Sequence, residues 1–301
     1  MLQPGLRGKG SGRHRLNFSV HSVFHRVLNL YQEERLFSLV CRGTGNAPGF
    51  LVIDLPENMD FTTLGLRRGM SVSLEGEWLV VGEVLAVDCR CVRLWPGRDR
   101  AALTWDRENL PPNNLQALQA AICHWGTRGG MKDIIDHYEG HPLAASLNLL
   151  ARGLCYGRVD DLAAAVVGIL GYGPGLTPAG DDLVVGLAAA AGVGAEYQVY
   201  LPLLRQAIID NLDRTTSLSA HILRQVLAGD YHEYLQEVLY SVTRGTPENV
   251  TVAVRNLMGL GATSGTDIAT GLYLAFLWQL ESRPGIYEEY RQNAGQNLSQ
   301  S

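Results

Sequence analysis

GYGPGLTPAGDDLVVGL, Gly171–Leu187, passes from a loop into a helix within a few residues. Four glycines and two prolines crowd its first twelve positions, and two adjacent carboxylates, Asp181 and Asp182, open an apolar run. Thr177 before Pro178 reads as an N-cap and first-position pair: the hydroxyl takes an orphan amide, and proline has no amide to leave unpaired. A carboxylate in the first turn is also favoured by the helix dipole, by about 0.3–1 kcal/mol. Read alone, the stretch is a connector and a helix start.

It does not stand alone. GATSGTDIATGL, Gly261–Leu272, repeats the pattern with one residue of slack: Gly180-x-Asp182-Leu-x-x-Gly186-Leu is matched by Gly265-x-Asp267-Ile-x-x-Gly271-Leu. Thr263 or Ser264 can cap this second helix, and Ser264 with Asp267 has capping-box spacing. Asp182 and Gly186 share one helix face, as do Asp267 and Gly271. A glycine inside a helix costs about 1 kcal/mol against alanine. Finding it twice at the same offset implies that something needs the room, and the simplest candidate is another helix backbone. The two helices are therefore expected to cross at Gly186 and Gly271, which brings the loops and Asp182 and Asp267 together.

Outward from this pair the pattern is helical from about Pro112 to the end. NNLQALQAAICHW, GMKDIIDHYEG, HPLAASLNLLARGLCYG, VDDLAAAVVGILG and their successors make about ten helices with no strand between them. Toward the N-terminus the texture changes. RLFSLVCRG, FLVIDL, MSVSLEG and EWLVVGEVLAV are short β-branched runs separated by GTGNAPG, LPEN, LRRG and EG. The fold class is thus α+β: a β-rich domain, a small antiparallel sheet or barrel, over 19–107, followed by an all-helical bundle over 108–288. The change of pattern lies within GRDRAALTWDRENLPPNN. Flexible tails are expected at 1–18 and 289–301.

With 301 residues, 46% hydrophobic and 18% charged, the chain is an ordinary globular protein with a large core. A net charge of −5 argues against nucleic acid as a partner, because phosphate binding needs a concentrated basic face. The longest apolar run, Leu183–Val193, is too short to span a bilayer, so no membrane partner is expected. The basic, glycine-rich N-terminus has no apolar stretch after its charges and does not read as a secretory signal. Five sparse cysteines point to a reduced, cytoplasmic setting. Cys89 and Cys91 alternate with Leu85 and Val87 on one strand face, as buried thiols.

Several residues carry candidate chemistry. Two carboxylates brought close must share a proton, meet a cation or stay apart, which makes Asp182 and Asp267 the catalytic candidates. Amides of two helix N-termini favour an anion. Asp181, Asp182 and Asp267 are also candidate ligands for a metal ion that accompanies a ligand with an anionic end. A third polar cluster, DRTTSLSAH, places Arg214, Thr215 and Thr216 at a helix start. There they either cap the helix or face a phosphate or carboxylate.

GYGPGLTPAGDD and LGATSGTD, with VLNLYQEERLFSLVCRGTGNAPGFLVI (Val27–Ile53) further upstream, resemble the bacterial family of the H subunit of oxamate carbamoyltransferase, from anaerobic allantoin breakdown. Ala179 stands where serine is common in that pattern, and Ala262 where some members carry histidine. The resemblance implies a multi-subunit complex with FdrA-like partners, which are similar to acyl-CoA synthetases. It also implies carbamoyl transfer: oxamate nitrogen attacks carbamoyl phosphate, giving oxalurate and phosphate. Such a reaction needs a phosphate cradle, a carboxylate clamp and a base. Gly173, Gly175, Thr177, Thr263, Ser264 and Gly265 are the candidate amides and hydroxyls, and Arg214 the candidate clamp. Two anionic substrates beside two carboxylates require a metal, arginines or a partner subunit to balance the charge. Two alternatives stay open: a non-catalytic structural or ligand-sensing subunit, and a Mg-dependent transferase acting on another small carboxylate.

Overall fold

The structure is a computed structural model that describes residues 18–32, 35–56 and 59–281. The tails expected at 1–18 and 289–301 lie outside these residues, apart from Phe18. The chain divides into two compact units, Met1–Gly97 and Arg98–Ser301.

The first unit is one seven-stranded sheet in the order β4-β3-β2-β1-β5-β6-β7. Its strands are β1 Phe18–Val23, β2 Val27–Gln32, β3 Arg35–Cys41, β4 Phe50–Ile53, β5 Ser71–Glu75, β6 Trp78–Val81 and β7 Leu85–Asp88. All neighbours are antiparallel except β3 and β4, which run parallel in the register Ser38↔Phe50 to Cys41↔Ile53. The connection between them is GTGNAPG, where Gly43, Gly45 and Gly49 all take φ near +80°. That region is open to glycine with little strain. Alternating residues of β1 to β3, among them Val20, Leu28, Leu30 and Leu39, bury one core together with Phe61. The sheet also buries Asn29 and Ser38, and their polar groups are matched: Ser38 Oγ donates to Asn29 Oδ1 at 2.7 Å, and Asn29 Nδ2 donates to Ser22 Oγ at 2.9 Å.

The cysteine expectation is corrected here. β7 ends at Asp88 because Arg90 folds back, its amide and guanidinium both bonding the Asp88 carboxylate. The alternation therefore stops before Cys91, which is exposed, while Cys89 is half-buried.

The second unit is helical: α1 Arg100–Leu103, α2 Pro112–Trp125, α3 Asp133–Asp136, α4 Ala144–Tyr156, α5 Val159–Ile169, α6 Ala179–Val193, α7 Leu201–Ile209, α8 Ser217–Ala228, α9 Glu233–Arg244, α10 Pro247–Leu257 and α11 Ser264–Glu281. GMKDIIDHYEG was expected to be one helix; only Asp133–Asp136 is α-helical, and Gly130–Lys132 belongs to the turn before it. All fifteen residues of α6 are buried, and so are most of α11. A helix apolar on every side belongs at the centre of a bundle, and the run LVVGLAAAAGV has that character. Trp105 Nε1 donates to Ala190 O at 3.0 Å, and Tyr197 Oη donates to Ala275 O at 2.6 Å. These bonds satisfy two large polar aromatics deep in the core, far along α6 and α11 from their first turns. No helix among the described residues is long and apolar enough to cross a membrane.

Candidate functional site

The doubled glycine is where the backbones of α6 and α11 touch. A Cβ on Gly186 would stand 1.9 Å from Ile268 O, and one on Gly271 would stand 1.9 Å from Leu183 O. The contacts are reciprocal: Gly186 also meets Leu272 N, and Gly271 meets Leu187 N. Each helix thus repeats against its neighbour what the neighbour does to it. Asp182 and Asp267 each lie about one turn before the crossing glycine, toward the helix N-terminus.

The loops that feed the two helices meet above the crossing. Thr177 Oγ1 and Ser264 Oγ are 3.0 Å apart. This corrects the capping assignment. Pro178 occupies the N-cap position of α6 with no side-chain cap, because the Thr177 hydroxyl turns instead to the opposite loop. Below these hydroxyls Asp182 and Asp267 are 3% and 0% exposed, and one carboxyl oxygen of each, Oδ2, is buried with no hydrogen-bond partner. A buried carboxylate without full hydrogen bonding prefers to hold its proton. Burial pushes Asp182 up to about 7; the charges of Asp267 and Asp181 add to the effect, while the adjoining Ser264 and Thr177 hydroxyls oppose it. Burial likewise pushes Asp267 up to about 6 against the Met131 amide and the Thr263 hydroxyl. The capping box expected of Ser264 and Asp267 is not what orders this turn: Ser264 is already the first helical residue, and Asp267 Oδ1 accepts from the Met131 amide at 2.5 Å.

That amide belongs to a segment the sequence reading missed. The turn GTRGGMK, Gly126–Lys132, lies against the first turns of α11. Thr127 N donates to Thr266 Oγ1 at 3.0 Å, and a Cβ on Gly130 would stand 2.2 Å from Asp267 Oδ1. Lys132 Nζ donates to Cys123 O at 2.5 Å and so ties the turn to the end of α2. Three glycines and two cations within seven residues between helices were the available signal.

The remaining expected residues divide. Asp181 does not join the pair's face. Its Oδ1 accepts from Gly171 N at 2.8 Å and its Oδ2 from the Thr215 hydroxyl, so both oxygens fasten the α5–α6 turn to the start of α8. Thr216 caps α8 by accepting from Ser219 N at 3.1 Å, and its hydroxyl donates to Leu176 O at 2.5 Å. Gly171 packs against Arg214 O, where a Cβ would stand at 2.5 Å, while the Arg214 side chain is exposed. The third cluster therefore braces the glycine-rich loop from behind. Gly173 and Gly175 take φ of +104° and +101°. Gly173 sits over Ala179 N, whereas Gly175 faces open space. Gly265 gives its amide to Leu260 O at 3.0 Å and lets α11 press on Leu257 O. Its amide is thus committed inside the fold. Among the described residues no group of three or more His, Cys, Asp or Glu is placed to hold a metal ion. The set Asp181, Asp182 and Asp267 is accordingly not one cluster but a pair and a brace.

The comparisons with known proteins bear on both units. Residues 169–276 match the family described as "Oxamate carbamoyltransferase subunit AllH", and residues 3–94 match the "AllH family N-terminal domain". The first match contains both loop–helix junctions. No solved structure matches the chain.

Proposed function

The chain belongs to the AllH family, and from that premise we propose that the α6–α11 junction is the reaction site of an oxamate carbamoyltransferase subunit. The observation that carries the reading is the buried carboxyl pair with one unpartnered oxygen on each member, set beneath two helix N-termini and their hydroxyls. Carbamoyl phosphate presents a carbonyl carbon and a phosphate leaving group, and oxamate presents a weakly nucleophilic amide nitrogen. The nitrogen attacks the carbonyl carbon, the bond from that carbon to the phosphate oxygen breaks, and oxalurate and phosphate result. The nitrogen must lose a proton in this step. A carboxylate whose proton affinity sits near neutrality is matched to accept it, and Asp182, at about 7, is so placed. Asp267 shares the charge and keeps the pair from ionising twice. Thr177, Thr263 and Ser264 offer hydroxyls, and Gly175, with open space before it, leaves the loop backbone accessible to an oxyanion.

A second reading has its own support. Two unpartnered carboxyl oxygens beside two hydroxyls form an oxygen-only donor set, the kind Mg2+ takes when phosphate oxygens and waters complete its shell. In that case Asp182 and Asp267 would hold the ion, which would supply the positive charge that the acids and an anionic substrate require. Assembly with FdrA-like subunits in the cytoplasm is part of the proposal, in keeping with the family's description as a subunit.

The test has two parts. In the assembled enzyme, Asp182→Asn is expected to lower kcat by a hundredfold or more with the complex intact; unchanged turnover would make the chain a structural or sensing subunit instead. A thermal-shift comparison of carbamoyl phosphate, oxamate, oxalurate, ADP and CoA, with and without Mg2+, addresses the substrate. Stabilisation by nucleotide or CoA and none by oxalurate would overturn the substrate assignment.

A further inference from the structure

The carboxyl pair leaves the site without positive charge of its own, although both proposed substrates are anions. Three cations lie on the segments around it: Arg128, Lys132 and Arg214. Lys132 is committed, its ammonium bonding the carbonyls of Cys123 and Gly126. Arg214 follows the bracing side, where its neighbour Thr215 is bound to Asp181 rather than to the pair. Arg128 differs from both. It is exposed, and it stands between two anchors that attach its turn directly to the site, Thr127 N on Thr266 and Met131 N on Asp267. Gly129, with φ of +89°, and Gly130, with no room for a Cβ, fix the backbone beside it. The turn is thus held from α2 by Lys132 and from α11 by Thr266 and Asp267, and Arg128 is the one cation of that turn not used to hold it.

We infer that Arg128 is the anion-reading residue of this site, its guanidinium taking a phosphoryl or carboxylate oxyanion of the substrate over the Asp182–Asp267 pair. The inference rests on the reaction site proposed above and names the part that balances its charge. Arginine suits the task because its planar fork meets phosphate and carboxylate through two parallel bonds. A rigid carrying turn also holds the fork's base in place, so less freedom is lost on binding. One turn thereby joins the two requirements: the Met131 amide steadies the acid, and Arg128 reads the anion.

The experiment compares Arg128→Gln and Arg128→Lys with the parent in the assembled enzyme, with Arg152→Gln as a control for loss of one charge. Arg152 pairs with Asp161 and lies near Trp278, about 20 Å along α11 from Ser264. Arg128→Gln is expected to raise KM ten- to a hundredfold for one of the two anions, to lower kcat less, and to leave the unfolding midpoint unchanged. Arg128→Lys should recover part of the loss, and Arg152→Gln should match the parent. Which KM moves, that for carbamoyl phosphate or that for oxamate, distinguishes a phosphoryl from a carboxylate contact. Inorganic phosphate, titrated into the full chain as a thermal-shift ligand, supplies a readout independent of turnover, and its effect should weaken in Arg128→Gln. KM values within twofold of the parent for both substrates, with an unchanged phosphate response, would overturn the inference. If Asp182→Asn is inactive in that case, only Arg128 is misassigned. If Asp182→Asn stays active while Arg128→Gln raises KM, the anion contact stands and the base assignment fails.

Discussion

Asp182→Asn is expected to stabilise the helical unit, and to do so more as the pH rises. In the unfolded chain Asp182 ionises near its ordinary 3.8; in the folded one burial delays this to about 7. That difference is roughly a thousandfold in proton affinity, or about 4 kcal/mol at 1.36 kcal/mol per tenfold. The sign follows from linkage. Between the two values the folded state binds a proton that the unfolded state has released, so stability falls as the pH rises through this window. Below 3.8 both states are protonated and the penalty vanishes; above about 7 it is complete. Asparagine resembles the neutral acid in shape and never ionises, so it escapes the penalty. The gain of the variant over the parent should therefore grow by about 2–3 kcal/mol between pH 5 and pH 8.5. Denaturant titrations followed by helical circular dichroism at the two pH values, in EDTA, measure it. A gain that is flat with pH, or a loss that deepens as the pH rises, would refute the reasoning, because Asp182 would then be well paired when charged. A reversal confined to buffers containing Mg2+ would instead favour the cation reading. The gain in stability should accompany the loss of turnover, the trade expected where a strained group is kept for its chemistry.

Two further outcomes follow from the packing. Gly186→Ala and Gly271→Ala each drive a methyl to within 1.9 Å of a backbone carbonyl on the other central helix; each should cost about 3 kcal/mol or more, read as a fall in the unfolding midpoint. Gly175→Ala meets no atom within 4 Å and carries only the strain of φ at +101°, about 1–2 kcal/mol, so equal losses at the three positions would refute the crossing. Asp181→Asn and Thr215→Val should each cost about 1–3 kcal/mol by disturbing the brace between Gly171 and α8. Their kcat should fall less than tenfold, and a loss as large as that of Asp182→Asn would place Asp181 in the chemistry.

Much of this was legible because it is periodic. Strand-like runs from about His21 and helical spacing from Pro112 gave the two textures, and the doubled Gly-x-Asp-x-x-x-Gly step gave the crossing. What escaped lies where local chemistry has equivalent uses. A threonine before a proline can cap its helix or turn its hydroxyl elsewhere. Thr177 turned to Ser264, a residue adjacent only after folding. Two neighbouring aspartates look alike in sequence, but one step along a helix rotates the side chain by about 100°. Asp181 is thereby sent to Gly171 and Thr215, and Asp182 to the pair. The turn at Gly126–Lys132 has no period at all, and its importance comes from two bonds to a helix that starts more than a hundred residues later.

The glycines and the acids of the repeated step are one device. Two helices can approach backbone to backbone only where neither carries a Cβ. At Gly186 and Gly271 the approach is close enough to exclude water from the turn before the crossing, where Asp182 and Asp267 stand. Exclusion of water is what raises their proton affinity. Replacing either glycine should therefore do more than loosen the core. As the helices part and water reaches the pair, Asp182 should titrate lower, toward its ordinary value. Any residual activity of Gly186→Ala or Gly271→Ala would then show its acidic limb, where activity rises as the base loses its proton, at lower pH than the parent. Activity that falls without this displacement would separate the glycines from the acids and leave the close crossing a matter of packing alone.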